Sequence, residues 1–468
     1  MRRAPLIVAA ALGCVAPALA QCEAQRLTRP VHEVPNFGMQ MEIESDRLIV
    51  AAWAAWTGCP TPDPFSCGAG ATYIYEHDEG QWAFSQIIVP PDIQSFDSFG
   101  AFNAHGDRMM ISSARKNLGQ SPGLIHDYRY DHASGQWVED SRFEAHVSGP
   151  PDPSYPFVGR PSWSTTLLFF RFGDNIQRFV EDAEGWQYKE TIVPPDPLVG
   201  TRFGDDIEVN DRWVVFNAPH DSTFGDRLGS VYVYRRNTDD SIEFFQKLLP
   251  LRGPGPGGFN RYFGESISLD GDRLAVGSVG VTDTVPGQGA AYVYSFDGWQ
   301  WVLEQEVLQA EPRLGSNMGQ SVDLERDVLI VGAQRRNDRH ADVFRRGADG
   351  TWRQAAVLEP LTGLEPPVQT DDFGRDVATD GRLLTVSAPG ERLLDIDKVP
   401  GAIYAYDLAC FDCLPDLDAD GTLTIFDFLT FMNLFDAGSS EADFDGDGEL
   451  TIFDFLAFQD AFDAGCPE

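Results

Sequence analysis

Between Cys22 and Cys410 one pattern of about 55 to 60 residues keeps returning, and that periodicity constrains the fold more than any other property of the chain. Its head is a large apolar residue followed by glycine: Phe37-Gly38, Phe99-Gly100, Phe203-Gly204, Phe263-Gly264, Met318-Gly319 and Phe373-Gly374. A degraded copy at Phe157-Val158-Gly159 makes seven, with the spacing shrinking to 46 after it. A good head is followed by a short strand, a turn and a strongly apolar strand, as in Ile207 to Val209, Asn210-Asp211 and Arg212 to Phe216. A third strand alternates Tyr with Val, as in Val231-Tyr232-Val233-Tyr234 and Tyr292-Val293-Tyr294. Many copies add a fourth with a tryptophan, at Trp82, Trp137, Trp186, Trp299 and Trp352. Four short strands per unit, separated by Asp, Gly and Asn turns, compose a propeller blade. The nearly continuous apolar second strand predicts burial on both faces. One blade cannot cover its own faces, but a closed ring can, so a domain this long need not split into smaller cores.

Closure is also legible. After the last head the chain supplies three strands, ending at Tyr406, and lacks the fourth. The stretch Gln25 to Arg29, ahead of the first head, is placed to supply it, which would put both ends of the domain in one blade and Cys22 near Cys410.

The Phe-Gly heads, with apolar strands ending in Ala218-Pro219 and Ala388-Pro389, resemble the FG-GAP repeats of integrin α-chain propellers over residues 22 to 409. The resemblance implies a seven-bladed ring presenting loops to a ligand. The calcium loop Asp-x-Asp-x-Asp-Gly found under some integrin blades does not occur in this part of the chain, so no metal is expected there.

The last residues carry a different duplication. Asp416, Asp418, Asp420, Gly421, Thr422, Thr424 and Asp427 match Asp443, Asp445, Asp447, Gly448, Glu449, Thr451 and Asp454, at positions 1, 3, 5, 6, 7, 9 and 12 of an EF-hand loop. Calcium takes hard oxygen ligands, and alternate acids on a chain that turns sharply at glycine converge on one point. Residues 411–468 hold 12 Asp, 3 Glu and no Lys or Arg, a charge of −15 that two bound calcium ions would reduce to −11. The tail is therefore expected to fold with metal. Each loop precedes a helix, and the helices nearly coincide from Leu423 and Leu450 to Gly438 and Gly465. Helical spacing puts Ile425, Phe428, Leu429, Met432 and Phe435 on one stripe, and Ile452, Phe455, Leu456 and Phe462 on its equivalent, as the predicted core. Phe426, Phe431, Leu434, Phe453 and Phe458 then fall outside it, more apolar surface than a small module hides, which points to an interface.

This duplicated loop-and-helix pattern resembles the dockerin modules of bacterial extracellular proteins, and the flanking Cys413 and Cys466 resemble the GC-type dockerin. The resemblance implies two calcium ions and a cohesin-like partner contacted through Ile425-Phe426 and Ile452-Phe453, identical in both halves.

Composition bounds the rest. Arg2-Arg3, the apolar run Leu6 to Val15 and Ala18-Leu19-Ala20 read as a signal peptide over 1–20, leaving a propeller at 21–410 and a calcium module at 411–468. No other stretch reaches the roughly 18 apolar residues of a membrane span. The net charge of −37 argues against phosphate-backbone contacts with nucleic acid. Six cysteines remain after cleavage, an even number for an oxidising compartment, and they allow 15 pairings. Position favours Cys59 with Cys67 in one Pro-rich loop, Cys413 with Cys466 around the module, and Cys22 with Cys410 around the propeller. Gly253-Pro-Gly-Pro-Gly-Gly258 fits a nucleotide loop only by letter, and no H-E-x-x-H occurs. Adjacent acids such as Asp205-Asp206 and Asp371-Asp372 read as solvated turn residues. The expectation is thus a secreted, mainly β protein: a seven-bladed propeller with a small α-helical dockerin-like module, non-catalytic and binding. The alternative is a polysaccharide hydrolase or lyase on the same ring.

Overall fold

The structure, a computed structural model, describes residues 25–28 and 37–464 apart from 54–68, 115–121, 148–157, 197–199, 252–260, 335–338, 361–367, 394–400, 412–414, 416, 418–422, 440–441, 445–449 and the single positions 79, 95, 174, 224, 283 and 348. Seven four-stranded antiparallel sheets form a closed ring. The innermost strands of blades 1 to 7 are Gln40–Glu44, Phe99–His105, Val158–Ser164, Ile207–Val209, Phe263–Asp270, Met318–Glu325 and Val377–Thr379. Each packs against the innermost strands on either side, the seventh returning to the first, so that together they wall a central channel.

The second strands behave as their sequence predicts. Trp213–Ala218, Val328–Ala333 and Leu383–Ala388 are buried along their whole length, each between two neighbouring sheets. The repeated heads fix the seams. The Phe263 ring is fully buried, and its N–H donates to the carbonyl of Leu228 in the preceding blade at 2.9 Å. Gly264 follows at φ +86°, a left-handed conformation, where a Cβ would stand 3.0 Å from the Ser230 carbonyl. Its counterpart across that seam is Gly229, at φ +83°, where a Cβ would lie 2.0 Å from the Phe263 carbonyl. Close approach of one blade's third strand to the next blade's head excludes side chains there.

The ring closes as the missing fourth strand implies. Gln25–Leu27 pairs antiparallel with Ala402–Asp407, Gln25 opposite Ala405 and Leu27 opposite Ile403, and so completes blade 7. Cys410 lies in the 3-10 turn Leu408–Phe411 just beyond. Cys22, Cys59, Cys67, Cys413, Cys466 and the leader 1–20 lie outside the described residues, as does Arg29.

Two details differ from expectation. Trp299 sits in a turn, 87 % exposed, and Trp301 instead opens the fourth strand of blade 5. Val368–Asp371 and Gly390–Leu393 add a two-stranded sheet that the repeat does not foretell.

The tail contributes helices α1 (Ile425–Ala437) and α2 (Ile452–Ala464). Thr424 caps α1: its hydroxyl accepts from Phe426 N–H at 3.1 Å, while Asp427 accepts from Thr424 N–H at 2.8 Å. Gly438, at φ 70°, ends it. The expected core stripe is only partly right. Phe428 and Phe435 pack inward, but Ile425, Leu429 and Met432 are 42–63 % exposed, whereas Phe431 and Phe458, assigned to the outside, are buried and stack on each other at 4.4 Å. Those two occupy equivalent places in the two copies, so the helices pack by identical faces. No helix among the described residues is long and apolar enough to cross a membrane.

Candidate functional sites

Strand alternation aims every second residue of the innermost strands at the channel, and in this chain acids stand among the polar residues at and beside those positions. Glu42, Asp206, Glu208, Asp323 and Asp376 line a cavity of about 190 Å³ together with one guanidinium, that of Arg160 from blade 3. Arg160 lies 3.7 Å from Glu42, 3.4 Å from Asp206 and 3.9 Å from Glu208, and its Nε–H donates to the Phe102 carbonyl at 3.2 Å. These four side chains keep 17–27 % of their surface open to channel water, yet protein surrounds them on all sides. Burial pushes Glu42 up to about 8, Asp376 to about 7 and Asp323 to about 6, and raises Asp206 and Glu208 as well, against the opposing pull of Arg160. Burial works against the charge on Arg160, but Glu208, Asp206 and Glu42 outweigh it and raise its pKa. Asp206, read from sequence as a solvated turn residue, is therefore a channel acid; Asp205 beside it pairs with Arg171 and Arg202.

The same polar side chains lock the blades in register. Asp376 accepts from Met41 N–H at 2.6 Å, Glu42 from Ala104 at 3.0 Å, Asn103 from Trp163 at 3.2 Å, Asp206 from Ile267 at 3.0 Å, Ser268 from Leu324 at 3.0 Å and Asp323 from Thr379 at 2.8 Å. Each joins one blade to the next. At the remaining seam, between blades 3 and 4, Arg160 takes that part by pairing with Asp206 and Glu208.

An outer set of clasps escaped the sequence reading. Gln86, in the fourth strand of blade 1, exchanges two hydrogen bonds with the main chain of Trp137 in blade 2. Gln246 does so with Trp301, Gln305 with Trp352, and Gln25 with Trp82 across the closing seam. The tryptophans that accept a clasp are 2–5 % exposed. Their spacing, Trp82 to Gln86 and Trp301 to Gln305, was visible; its partner, one blade away, was not.

The structure also assembles a relay that no motif announced. The Ser113 hydroxyl lies 3.0 Å from Nε2 of His126, whose Nδ1 lies 2.9 Å from Glu139. This is the order of a nucleophile, a base and an orienting acid. Ser113 is 1 % exposed and His126 0 %, with Phe99 edge-on to the imidazole at 5.3 Å. Register places His126 beside Ile111, as Tyr73 lies beside Val50 and Tyr292 beside Val276, so buried polar rings recur at this level of the blades. The group is thus part of the packed interior of the blade.

Of the expected calcium ligands, Thr424, Asp427, Asp443, Thr451 and Asp454 are described; Asp416, Asp418, Asp420, Thr422, Asp445, Asp447 and Glu449 lie outside the described residues. Among the described residues no group of three or more His, Cys, Asp or Glu is placed to hold a metal. Asp427 and Asp454 are fully buried, the latter accepting from Thr451 N–H at 2.6 Å. The four expected partner contacts are open: Ile425 and Ile452 are 63 % exposed, Phe426 and Phe453 62 %.

Comparison with known proteins supports the repeat. Residues 254–294 match the family described as FG-GAP repeat. That span contains the Phe263-Gly264 head, the first two strands of blade 5 and most of the third. No curated protein sequence matches the chain. Among solved structures, a candidate 6-phosphogluconolactonase of Bacteroides fragilis aligns at TM-score 0.45 and 12 % identity, over 69 % of this chain and 84 % of that one. Hsv2 of Kluyveromyces lactis aligns at TM-score 0.44 and 16 % identity, over 76 % and 90 %. A protein of Lactobacillus plantarum aligns at 0.45 and 11 %, over 70 % and 85 %. None of these likenesses bears on what the chain does.

Proposed function

We propose that this is a secreted binding or adhesion protein without catalytic machinery, whose propeller presents loops to a ligand and whose calcium-folded, dockerin-like tail attaches it to a cohesin-like partner or a surface. The observation that carries the reading is the duplicated Ile-Phe pair, exposed to the same extent at the start of α1 and of α2. Two matched apolar patches left open on so small a module suit a partner that either half can engage.

The donor chemistry of the tail fits calcium. Buried carboxylates need a compensating charge. Asp427 and Asp454 stand at position 12 of the two duplicated loops and are fully buried, in a segment with no Lys or Arg. Hard cations held by Asp416, Asp418, Asp420, Thr422, Thr424 and Asp427, and by Asp443, Asp445, Asp447, Glu449, Thr451 and Asp454, would neutralise them. A bridge between Cys413 and Cys466 would tie the ends of the module.

The test is calcium-dependent capture of partners from cell envelope, by the wild-type chain and by one carrying both Phe426→Asp and Phe453→Asp. Capture that needs calcium and is lost in the variant supports the assignment; undiminished capture refutes the contact. The competing reading, a polysaccharide hydrolase or lyase, has the Ser113–His126–Glu139 relay on its side, and the burial of Ser113 weighs against it. An activity screen that finds turnover abolished by Ser113→Ala would reverse that judgement.

A further inference from the structure

Among the described residues, the seam between blades 2 and 3 lacks the glutamine–tryptophan clasp that closes the seam between blades 1 and 2. Where Gln86, Gln246 and Gln305 reach across, blade 2 carries Ser141. Opposite that position, where other blades have Ile74, Val233 and Val293, stands Asp127, 1 % exposed. Asp127 accepts from Nε–H of Arg108 at 3.0 Å, and Arg108 donates through Nη1 to Glu181 of blade 3 at 2.6 Å. The Arg108 guanidinium lies over the rings of Trp163 and Trp186, at 5.3 and 5.1 Å. An ion network thus holds this seam at depth, and its glutamine, Gln177 of blade 3, clasps the His146 main chain of blade 2, accepting at 2.8 Å and donating at 2.6 Å, instead of the main chain of Trp186.

The consequence is an uncovered tryptophan. Trp82, Trp137, Trp301 and Trp352 are 2–5 % exposed, while Trp186, at the equivalent place in blade 3, is only half-buried. Before it opens a cleft of about 450 Å³, lined by Phe143, His146, Phe179, Trp186 and Tyr188 with Glu144 at its edge. His146 lies flat against Tyr188, 3.8 Å apart and 12° from parallel, and Phe143 runs within 29° of Trp186. The Tyr188 hydroxyl, 2.8 Å from that of Thr191, is at the surface.

We propose that this cleft binds a neutral sugar unit of a polysaccharide. The proposal rests on the propeller's binding role and gives that role a place and a ligand class. Flat aromatic walls suit the C–H faces of a pyranose, and the Glu144 carboxylate and Tyr188 hydroxyl suit its hydroxyls; the volume falls in the range of about 300–1,000 Å³ usual for small-ligand sites. A net charge of −37 disfavours phosphorylated or acidic glycans. A quaternary ammonium group also favours aromatic rings beside a carboxylate. Here Arg108 already lies against Trp186, and a second cation would meet that charge.

The experiment titrates the full-length protein with cello-, manno- and xylo-oligosaccharides, followed by tryptophan emission and affinity electrophoresis. At least one of these sugars should bind. Trp186→Ala should weaken it by about tenfold or more, as expected for loss of one stacking face, and Trp299→Ala should leave it unchanged. Ser141→Gln serves as a second variant that keeps the tryptophan: the new amide should clasp the Trp186 main chain, raise the urea midpoint and weaken sugar binding. Binding of none of the sugars, equal binding by wild type, Trp186→Ala and Ser141→Gln, or binding of choline in place of sugar would each overturn the proposal. Capture through the tail is read on Phe426 and Phe453, so a failure here is distinct from a failure of the attachment reading.

Discussion

Gln86 holds both main-chain groups of Trp137 across the seam between blades 1 and 2, accepting from its N–H at 2.8 Å and donating to its carbonyl at 2.9 Å. Gln86→Ala removes both bonds and leaves two main-chain groups in a partly buried place. A loss of about 2 kcal/mol is expected, read as a lower urea midpoint with unchanged slope. A change within about 0.3 kcal/mol would mean that water replaces the clasp at no cost.

Gln25 makes the same clasp to Trp82, at 2.7 Å in both directions, but from the short strand that closes the ring. Gln25→Ala should cost as much as Gln86→Ala. Cys22→Ser should lower the melting temperature further if Cys22 pairs with Cys410, by an amount corresponding to about 2–5 kcal/mol. It should leave calcium binding unchanged. An unaltered melt would dismiss the disulfide.

The channel acids set a pH dependence with a definite sign. Glu42, Asp376 and Asp323, raised by burial to about 8, 7 and 6, hold protons more tightly folded than unfolded. The folded form then binds more protons, so stability declines as pH rises from about 4, where unfolded carboxyls ionise, and the decline is complete above the Glu42 value. Asp221 acts in another window. Burial raises it, but its hydrogen bonds to Lys247, Ser230 and Thr223 prevail and hold it at about 2, so its contribution is lost only in stronger acid. The thermal midpoint of the full chain should therefore be higher at about pH 5 than at about pH 8. Glu42→Gln keeps an acceptor for Ala104 N–H and should raise the midpoint at the alkaline end, flattening the slope. A flat profile would show that these acids ionise freely in the fold, and the opposite slope that the fold holds them charged.

Calcium should control the tail and spare the ring. Calorimetry on the full chain is expected to find two ions, and excess chelator should remove the helical signal of α1 and α2 while the β signal persists. Asp427→Asn together with Asp454→Asn should abolish the heat of binding. Full helix in chelator would sever folding of the tail from metal.

The ring was legible because its signals are local and repeated: a buried Phe, a glycine in the left-handed region, an apolar strand, a Tyr-Val strand. Even the closing strand could be placed, since the repeat leaves one vacancy and one unassigned segment. What connects blades was not legible. Asp206 resembled any acid after a turn until neighbouring strands enclosed it with Arg160. Gln86 is an unremarkable polar residue until blade 2 brings up Trp137. The helices misled for a different reason: apolar residues occur almost all round them, so spacing alone allowed several stripes, and contact between Phe431 and Phe458 decided which one is core.

The pairing of Gln25–Leu27 with Ala402–Asp407 has a consequence for assembly. The strand that seals the circle leaves the ribosome first, and its mate emerges only after six blades have been made. Until then blade 1 and the nascent end of the array each present an uncovered sheet, and such faces attract other chains. The interval between first and last strand is thus the period of greatest risk, and anything that shelters the leading segment during it should raise the yield of closed molecules.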